Sequence, residues 1–280
     1  MSAQAEVLIT AERELRKNLR SAKGIAMFVL FVIGGLVPRL LDLLAQKYAK
    51  DLGVTIPTDE VIHQAKLEAF TKQYGEAAGK YLADCPTMLY ALFQGTLLFL
   101  PLVILMVGFD TIAGETQHRT LRYMTPRANR TSIAIGKALG VWGVAGLMLL
   151  VLHATTWLLV IIEGKTAAGP MLSWGLRLWA FAAVYGAAYV GLTSLMSSIF
   201  KTPVVALFVG FGSVVVMGIL RIGLGWSEKT QALTWAFPAS YDKWLLSPDP
   251  TYVAGAVAVL LAWGATGVIF ATEILRRRDI

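Results

Sequence analysis

"TMLYALFQGTLLFLPLVILMVGF", residues 87–109, holds no Asp, Glu, Lys or Arg, and it is longer than the ~20 residues that carry a helix through a bilayer. Five further apolar runs of similar or greater length occupy residues 24–45, 132–162, 171–199, 203–225 and 251–275. A mean hydropathy of +0.62, with 15% charged residues over 280 positions, lies outside the range of soluble globular proteins. None of the runs alternates at period two, and each is far longer than a barrel strand, which excludes a β-barrel. The expectation is an all-α integral membrane protein of six transmembrane helices. The first run follows charged residues and precedes no small-residue cleavage site, so it reads as a retained span and not a signal peptide.

Directly after 87–109 the chain changes character. "GETQHRTLRYMTPRANR", residues 114–130, carries four arginines and a histidine against one glutamate. A topology signal, a nucleic-acid or headgroup patch and a protein-docking element all have this composition. With cytoplasmic N- and C-termini, the inner segments 1–23, 110–131, 200–202 and 276–280 hold thirteen Lys/Arg, ten of them Arg. The outer segments 46–86, 163–170 and 226–250 hold eight, all Lys. This asymmetry is the positive-inside pattern of a multi-pass protein of the inner (cytoplasmic) membrane, and it accounts for most of the +7 net charge. No stacking aromatics accompany a basic groove, so nucleic acid is not an expected partner.

Upstream, "AEVLITAERELRKNLRSAKG" is an amphipathic helix with Leu8, Leu15, Leu19 and Ala22 on one face among Arg13, Arg16, Lys17 and Arg20. Such a segment lies in the bilayer interface, apolar face in lipid and bases toward headgroups. The long outer segment 46–86 reads as helical, with Thr58 capping a helix over 58–84 that caps the bundle or docks an extracytoplasmic partner. The last outer segment, 226–250, places Trp, Phe and Tyr between prolines, as at an interface belt that dips back into the bilayer.

Chemistry is sparse. Arg39 and Asp42 are spaced to pair, Arg177 and Arg221 sit near outer span ends, and His153 reads as a satisfied residue of the third span. Glu273 and Arg277, four apart, read as a local salt bridge. One cysteine, Cys85, excludes a disulfide framework and a CxxC metal site. "GFGSVV" (210–215) lacks the order of a serine nucleophile motif. "EGKT" (163–166) ends like a phosphate loop, but Leu159 stands where that loop needs glycine. The chain is therefore expected to bind no cofactor and no metal and to have no catalytic residues. Small residues recur in the spans (Gly136/Gly140, Gly143/Gly146, Gly186/Gly191, Gly264/Gly267) and allow close helix contacts. Such a bundle rearranges on energy supplied from outside.

The stretch "FDTIAGETQHRTLRYMTPRANRTSIAIGK" (109–137) resembles a signature of the type-2 family of ABC transporter permeases. The matching residues are Asp110, Gly114, Glu115, Thr120, Leu121, Arg122, Pro126, Arg130 and Lys137. The family usually has Gly before the Thr, where this chain has Arg119. "AERELRKNLRSAKG" (11–24), with Glu14, Leu15, Leu19 and Arg20, is similar to the family's N-terminal elbow, and "EILRRRDI" (273–280) to its closing basic motif. The resemblance implies an elbow helix over 1–23, including Glu14, Arg16 and Arg20, and a six-span permease domain over 24–280.

It also implies a coupling helix over 112–123 that docks a cytoplasmic ABC ATPase through Gly114, Glu115, Arg119, Thr120, Leu121 and Arg122. Pro126, Arg130 and Lys137 would turn the chain back into the third span. ATP and Mg would be bound by the partner ATPase, and a second permease copy would complete a dimer, with a homodimer expected. An ATP-driven exporter follows. The alternative is an ATPase-driven scaffold that acts on extracytoplasmic partners through 58–84.

Overall fold

The structure, a computed structural model, describes residues 2–53, 58–120, 129–162 and 167–278. Eleven α-helices are present among them: α1 (Ala3–Arg20), α2 (Ala22–Asp51), α3 (Asp59–Tyr74), α4 (Glu76–Ala83), α5 (Thr87–Gly108), α6 (Ala113–Gln117), α7 (Arg130–Ile162), α8 (Ala168–Ile199), α9 (Pro203–Gly225), α10 (Asp242–Leu245) and α11 (Pro250–Arg277). No strand occurs among the described residues. Six helices, α2, α5, α7, α8, α9 and α11, are long and apolar enough to cross a membrane, which makes the chain an all-α multi-pass membrane protein. At ~1.5 Å per residue the 33 residues of α7 reach ~50 Å, well beyond a ~30 Å hydrocarbon core, so this span projects out of the bilayer.

The chain enters the bundle through a single broken residue. Ser21 has extended backbone (φ −75°, ψ 152°), which ends α1. Its hydroxyl then accepts from Gly24 N at 2.9 Å and so starts α2. A side chain at residue 24 would meet Asn18 O at 1.7 Å, so glycine is required there. After this break both helices pack on α7. The positions facing Gly136, Gly140 and Gly143 are Val7 with Thr10, Ala11 with Glu14, and Leu15, so α1 and α7 run in the same direction. Further along, Thr156 donates to Gly35 O at 2.7 Å, tying α2 to the later turns of α7.

The face that α1 buries differs from the sequence expectation. Thr10, Glu14 and Asn18, one turn apart, are 7%, 3% and 3% exposed, whereas Leu8 is 67% exposed. Leu15 and Leu19 lie partly buried against the core. The glycine stripe of α7 lets the helix backbones approach closely, so Thr10 fits the seam and Glu14 enters it to meet Lys137, while the leucines lie at its edges.

The core of the bundle is the α8–α11 crossing, where a Cβ on Gly264 would lie 2.5 Å from Ala187 O and one on Gly267 2.4 Å from Gly191 C. The α7–α8 contact is pinned by two indoles, Trp142 donating to Ala183 O (2.8 Å) and Trp179 to Gly146 O (3.1 Å). Where one helix over 58–84 was expected, Gly75 (φ +88°) divides the segment into the α3–α4 hairpin. Thr58 makes no side-chain cap bond. The α4 face closes on α3 so tightly that a Cβ at Gly79 would touch Thr71 Oγ1 at 2.5 Å. Residues 226–249 fold back into the bundle: Tyr241, Leu245 and Leu246 are buried, and Trp263, half-way along α11, donates to Ala236 O at 3.1 Å. The Trp and Tyr rings of this segment meet at tilted and edge-on angles, with Trp235 and Trp244 4.9 Å apart.

Candidate functional site

The second apolar span, α5, stops at Gly108, and the chain turns through residues 109–112 into α6. Ser197, near the end of α8, holds this turn. Its hydroxyl accepts from Ile112 N and Ala113 N, each at 3.0 Å, and donates to Phe109 O at 2.9 Å. The amide groups opening a helix have no partner within it, and a fully buried hydroxyl from another span supplies one here. On the other side Lys23, in the first turn of α2, reaches Asp110 Oδ1 at 2.8 Å and Val107 O at 2.9 Å, above the ring of Phe109.

Behind the turn lies the centre of the site. Lys137 of α7 is 2% exposed, and its ammonium group donates to Glu14 Oε2 of α1 (3.2 Å), to Thr111 O (2.8 Å) and pairs with Glu115 Oε1 of α6 (2.8 Å). One ammonium group thus holds two acceptors and a second carboxylate, on three segments of the chain. Glu14 is held further by Asn18 Nδ2 at 3.2 Å and, loosely, by Lys17 at 3.5 Å. The second oxygen of Glu115 is buried without a hydrogen-bond partner. Two carboxylates on one buried ammonium group leave the cluster acidic but for Lys17 at its rim. Its geometry is therefore sensitive to loss of the single cation.

The third side is the chain's closing basic stretch. Arg278 donates to Ile199 O at 2.9 Å and to Thr116 Oγ1 at 3.3 Å, joining α8 to α6. Arg130, at the start of α7, donates to the carbonyls of Leu275, Arg276 and Arg278 at 3.0, 2.9 and 2.9 Å. A cation on the free carbonyls of a helix end satisfies both their hydrogen bonds and the helix dipole. Ile112, Ala134 and Leu275 pack together beneath.

α6 ends at His118. Arg119 lies in the left-handed region (φ +56°). Its amide donates to Thr116 O (3.2 Å), and the next amide, of Thr120, to Glu115 O (2.9 Å). These are the paired bonds of a Schellman stop, whose left-handed position is usually glycine. Arg119 occupies the place where the resemblance expects glycine.

The structure thus brings together Glu14, Glu115 and Lys137, and sets Arg130 on the end of α11. Gly114 lies in α6 with ordinary space around it, a Cβ there finding Asp110 Cβ at 3.6 Å, so the chain leaves α5 through residues 109–112 and not through this glycine. The expected helix over 112–123 is interrupted at 118–120, because the Schellman stop ends it. Arg119 and Thr120 are exposed. Leu121, Arg122 and Pro126, like 163–166, lie outside the described residues. Arg16 and Arg20 are exposed on α1, Arg16 paired with Glu12. Sequence reasoning missed Ser197, Lys23, Thr111 and Arg278 as parts of this site. Of these only Arg278, in a basic run, carries a visible signal.

Away from the site, Arg39 pairs with Asp42 and Arg277 with Glu273 (2.6 Å), as their spacing predicts. Arg177 stacks on Tyr81 and Phe181. His153 departs from expectation: it is fully buried and neither ring nitrogen has a hydrogen-bond partner. Cys85 is buried, and burial pushes its thiol up to about 12. Among the described residues no three His, Cys, Asp or Glu side chains gather as a metal site would require.

Six spans, an N-terminal helix docked on the third span and a short helix clamped at the end of the second make up this membrane protein. The family of ABC-2 family transporter proteins matches residues 8–271, and the chain belongs to that family. It is therefore a multi-pass membrane permease component of an ABC system, a subunit type that is typically non-catalytic and associates with an ABC ATPase. No curated protein matches the chain by sequence.

Proposed function

We propose that this permease drives export across the cytoplasmic membrane. It would act as a pair of permease copies, termini inside, powered by separate ATPase subunits that hold ATP and Mg2+. In this reading α6 and the turn after it are the coupling element. The exposed end, Gln117 to Thr120, is what an ATPase grips. Leu121 and Arg122 would continue that surface, and Pro126 would turn the chain back toward α7. Arg16 and Arg20 of the elbow face anionic headgroups.

The single observation that carries the reading is the Lys137 cluster. Because Glu115 and Glu14 share one buried ammonium group, α6 cannot be displaced without drawing α1 and α7 with it. Ser197 and Arg278 extend the linkage to α8. A push on five residues is thereby passed to the long helices, as rigid packed elements with defined contacts allow. The test is ATP hydrolysis by the co-purified ATPase with Arg119→Glu/Arg122→Glu permease. Stimulation by the permease is expected to be lost while membrane insertion is unchanged. Unaltered stimulation would remove α6 from the coupling role.

One observation favours the second reading, a scaffold acting on an extracytoplasmic partner: residues 60–65 of α3 are exposed, with Val61 at 56% and Ile62 at 38%. Val61→Ser/Ile62→Ser separates the two, since an exporter keeps its efflux in this variant and a scaffold loses its partner.

A further inference from the structure

Along the outside of the bundle α7, α8 and α11 enclose a groove of about 650 Å3, within the size range of ligand sites. Its floor is where α8 and α11 cross, and it is deep because the residues there are small: Ala187, Gly264 and Ala265. The floor cannot rise to fill the space, since the two backbones are already in contact through Gly264 and Ala187. Its walls are large and face outward, Phe270 being 57% and Leu139 41% exposed, with Trp142 on the α7 side. A trench of this kind in the hydrocarbon zone is filled by something apolar, because an empty one would forfeit the dispersion contacts of every wall atom.

What fills it is indicated by where the polar groups are. Apart from Thr272, whose hydroxyl is bonded back to Val268 O, the polar lining residues are Thr131, Glu273 and Arg276, all at the end of the groove beside the chain termini. From Arg276 to Leu261 is fifteen positions of α11, or ~22 Å, about half of the ~40–45 Å bilayer with its headgroup regions, the depth of one leaflet from headgroup to midplane. The mouth carries a net positive charge, because Arg276 and Arg277 flank one carboxylate, Glu273. Arg277 takes one of its oxygens at 2.6 Å, and Arg276 stands 3.9 Å from the other, beyond hydrogen-bond distance, with a side chain 63% exposed. Arg276 therefore has a planar fork of donors directed at no close acceptor among the described residues, the geometry that suits a phosphate.

We propose that this groove is a binding site for an anionic phospholipid, one acyl chain lying along Ala187, Gly264 and Ala265 and the phosphate meeting Arg276. The site belongs to the leaflet on the side of the termini. It is separate from the α6 site and does not depend on the export reading.

The test is native mass spectrometry of the purified full-length chain in detergent with equimolar phosphatidylglycerol and phosphatidylcholine. Wild type retains phosphatidylglycerol in preference. Arg276→Gln, an exposed position whose change leaves the fold intact, lowers that preference about fivefold, the equivalent of about 1 kcal/mol for one basic side chain near a headgroup. Ala265→Phe, which puts a ring into the trench, lowers retention of both lipids. Equal retention of the two lipids by wild type would mean that the groove holds bulk lipid without headgroup selection, and would overturn the proposal. An undiminished preference in Arg276→Gln would do the same by placing the discrimination elsewhere. Should Ala265→Phe not fold, Ala265→Leu in the same measurement tests the tail contact, and unchanged retention there counts against it.

Discussion

Lys137 is the residue on which the α6 site turns. Its ammonium group donates to Glu14 and to Thr111 O and pairs with Glu115, and both carboxylates are largely withdrawn from water. Removing one partner of a buried ion pair costs about 3–5 kcal/mol, because the charge left behind has neither water nor a counterion. Lys137→Met is therefore expected to lower thermal stability in detergent by an amount of that order. Glu14→Gln/Glu115→Gln added to it should restore much of the loss, since the carboxylates are then neutral. A triple variant no more stable than Lys137→Met would show that the loss comes from packing and not charge. Arg119 gives a second prediction at this scale. A non-glycine residue at φ +56° carries ~1 kcal/mol of strain, more if β-branched. Arg119→Gly is expected to hold or slightly raise the melting temperature, and Arg119→Val to lower it. The reverse order would mean that the left-handed stop after α6 is absent.

Among the elements, α1 is the one whose place the sequence described least well. The polar stripe Thr10, Glu14, Asn18 is present at helical spacing, but hydrophobic patterning weighs leucines, and the leucines pointed to lipid. The docking surface was the glycine stripe of α7, far along the chain, which periodicity within α1 does not register. A side chain at Gly136 would meet Thr10 Cβ at 2.6 Å and Val7 O at 2.7 Å, and the second of these is backbone that cannot rotate away. Gly136→Val should thus release α1 from the bundle. Limited trypsin digestion is then expected to cut after Arg13, Arg16 or Lys17 faster than in wild type, and equal protection would contradict the docking. The spans themselves were legible, since bilayer thickness imposes a length and composition that no local detail disguises. Glu14, Glu115 and Lys137 were marked only through likeness to a family, as residues so far apart share no pattern that brings them together. Ser197 and Lys23 were not legible at all, because a serine or lysine near a helix end is common and only the fold shows what it faces. Gly75 was read through as helix, since a lone glycine among good helix formers is tolerated until its φ is known.

At the scale of the molecule, an exposed short helix on one face is joined to the long helices through a few buried polar contacts, and under the proposed function that helix is the contact with an ATPase. The native thiol does not interfere with testing this, because Cys85 is buried and its thiol, pushed up to about 12, holds almost no thiolate near neutral pH. Unmodified chain is accordingly expected to resist maleimide labelling while folded, and to be labelled once denatured. The most direct test places a benzophenone on the exposed His118→Cys, with Ile62→Cys on α3 as the control, in the permease purified with its ABC ATPase. Light is predicted to join the chain to the ATPase from position 118 and not from position 62. No adduct from position 118, or an equal one from position 62, would contradict the assignment of α6 as the coupling element.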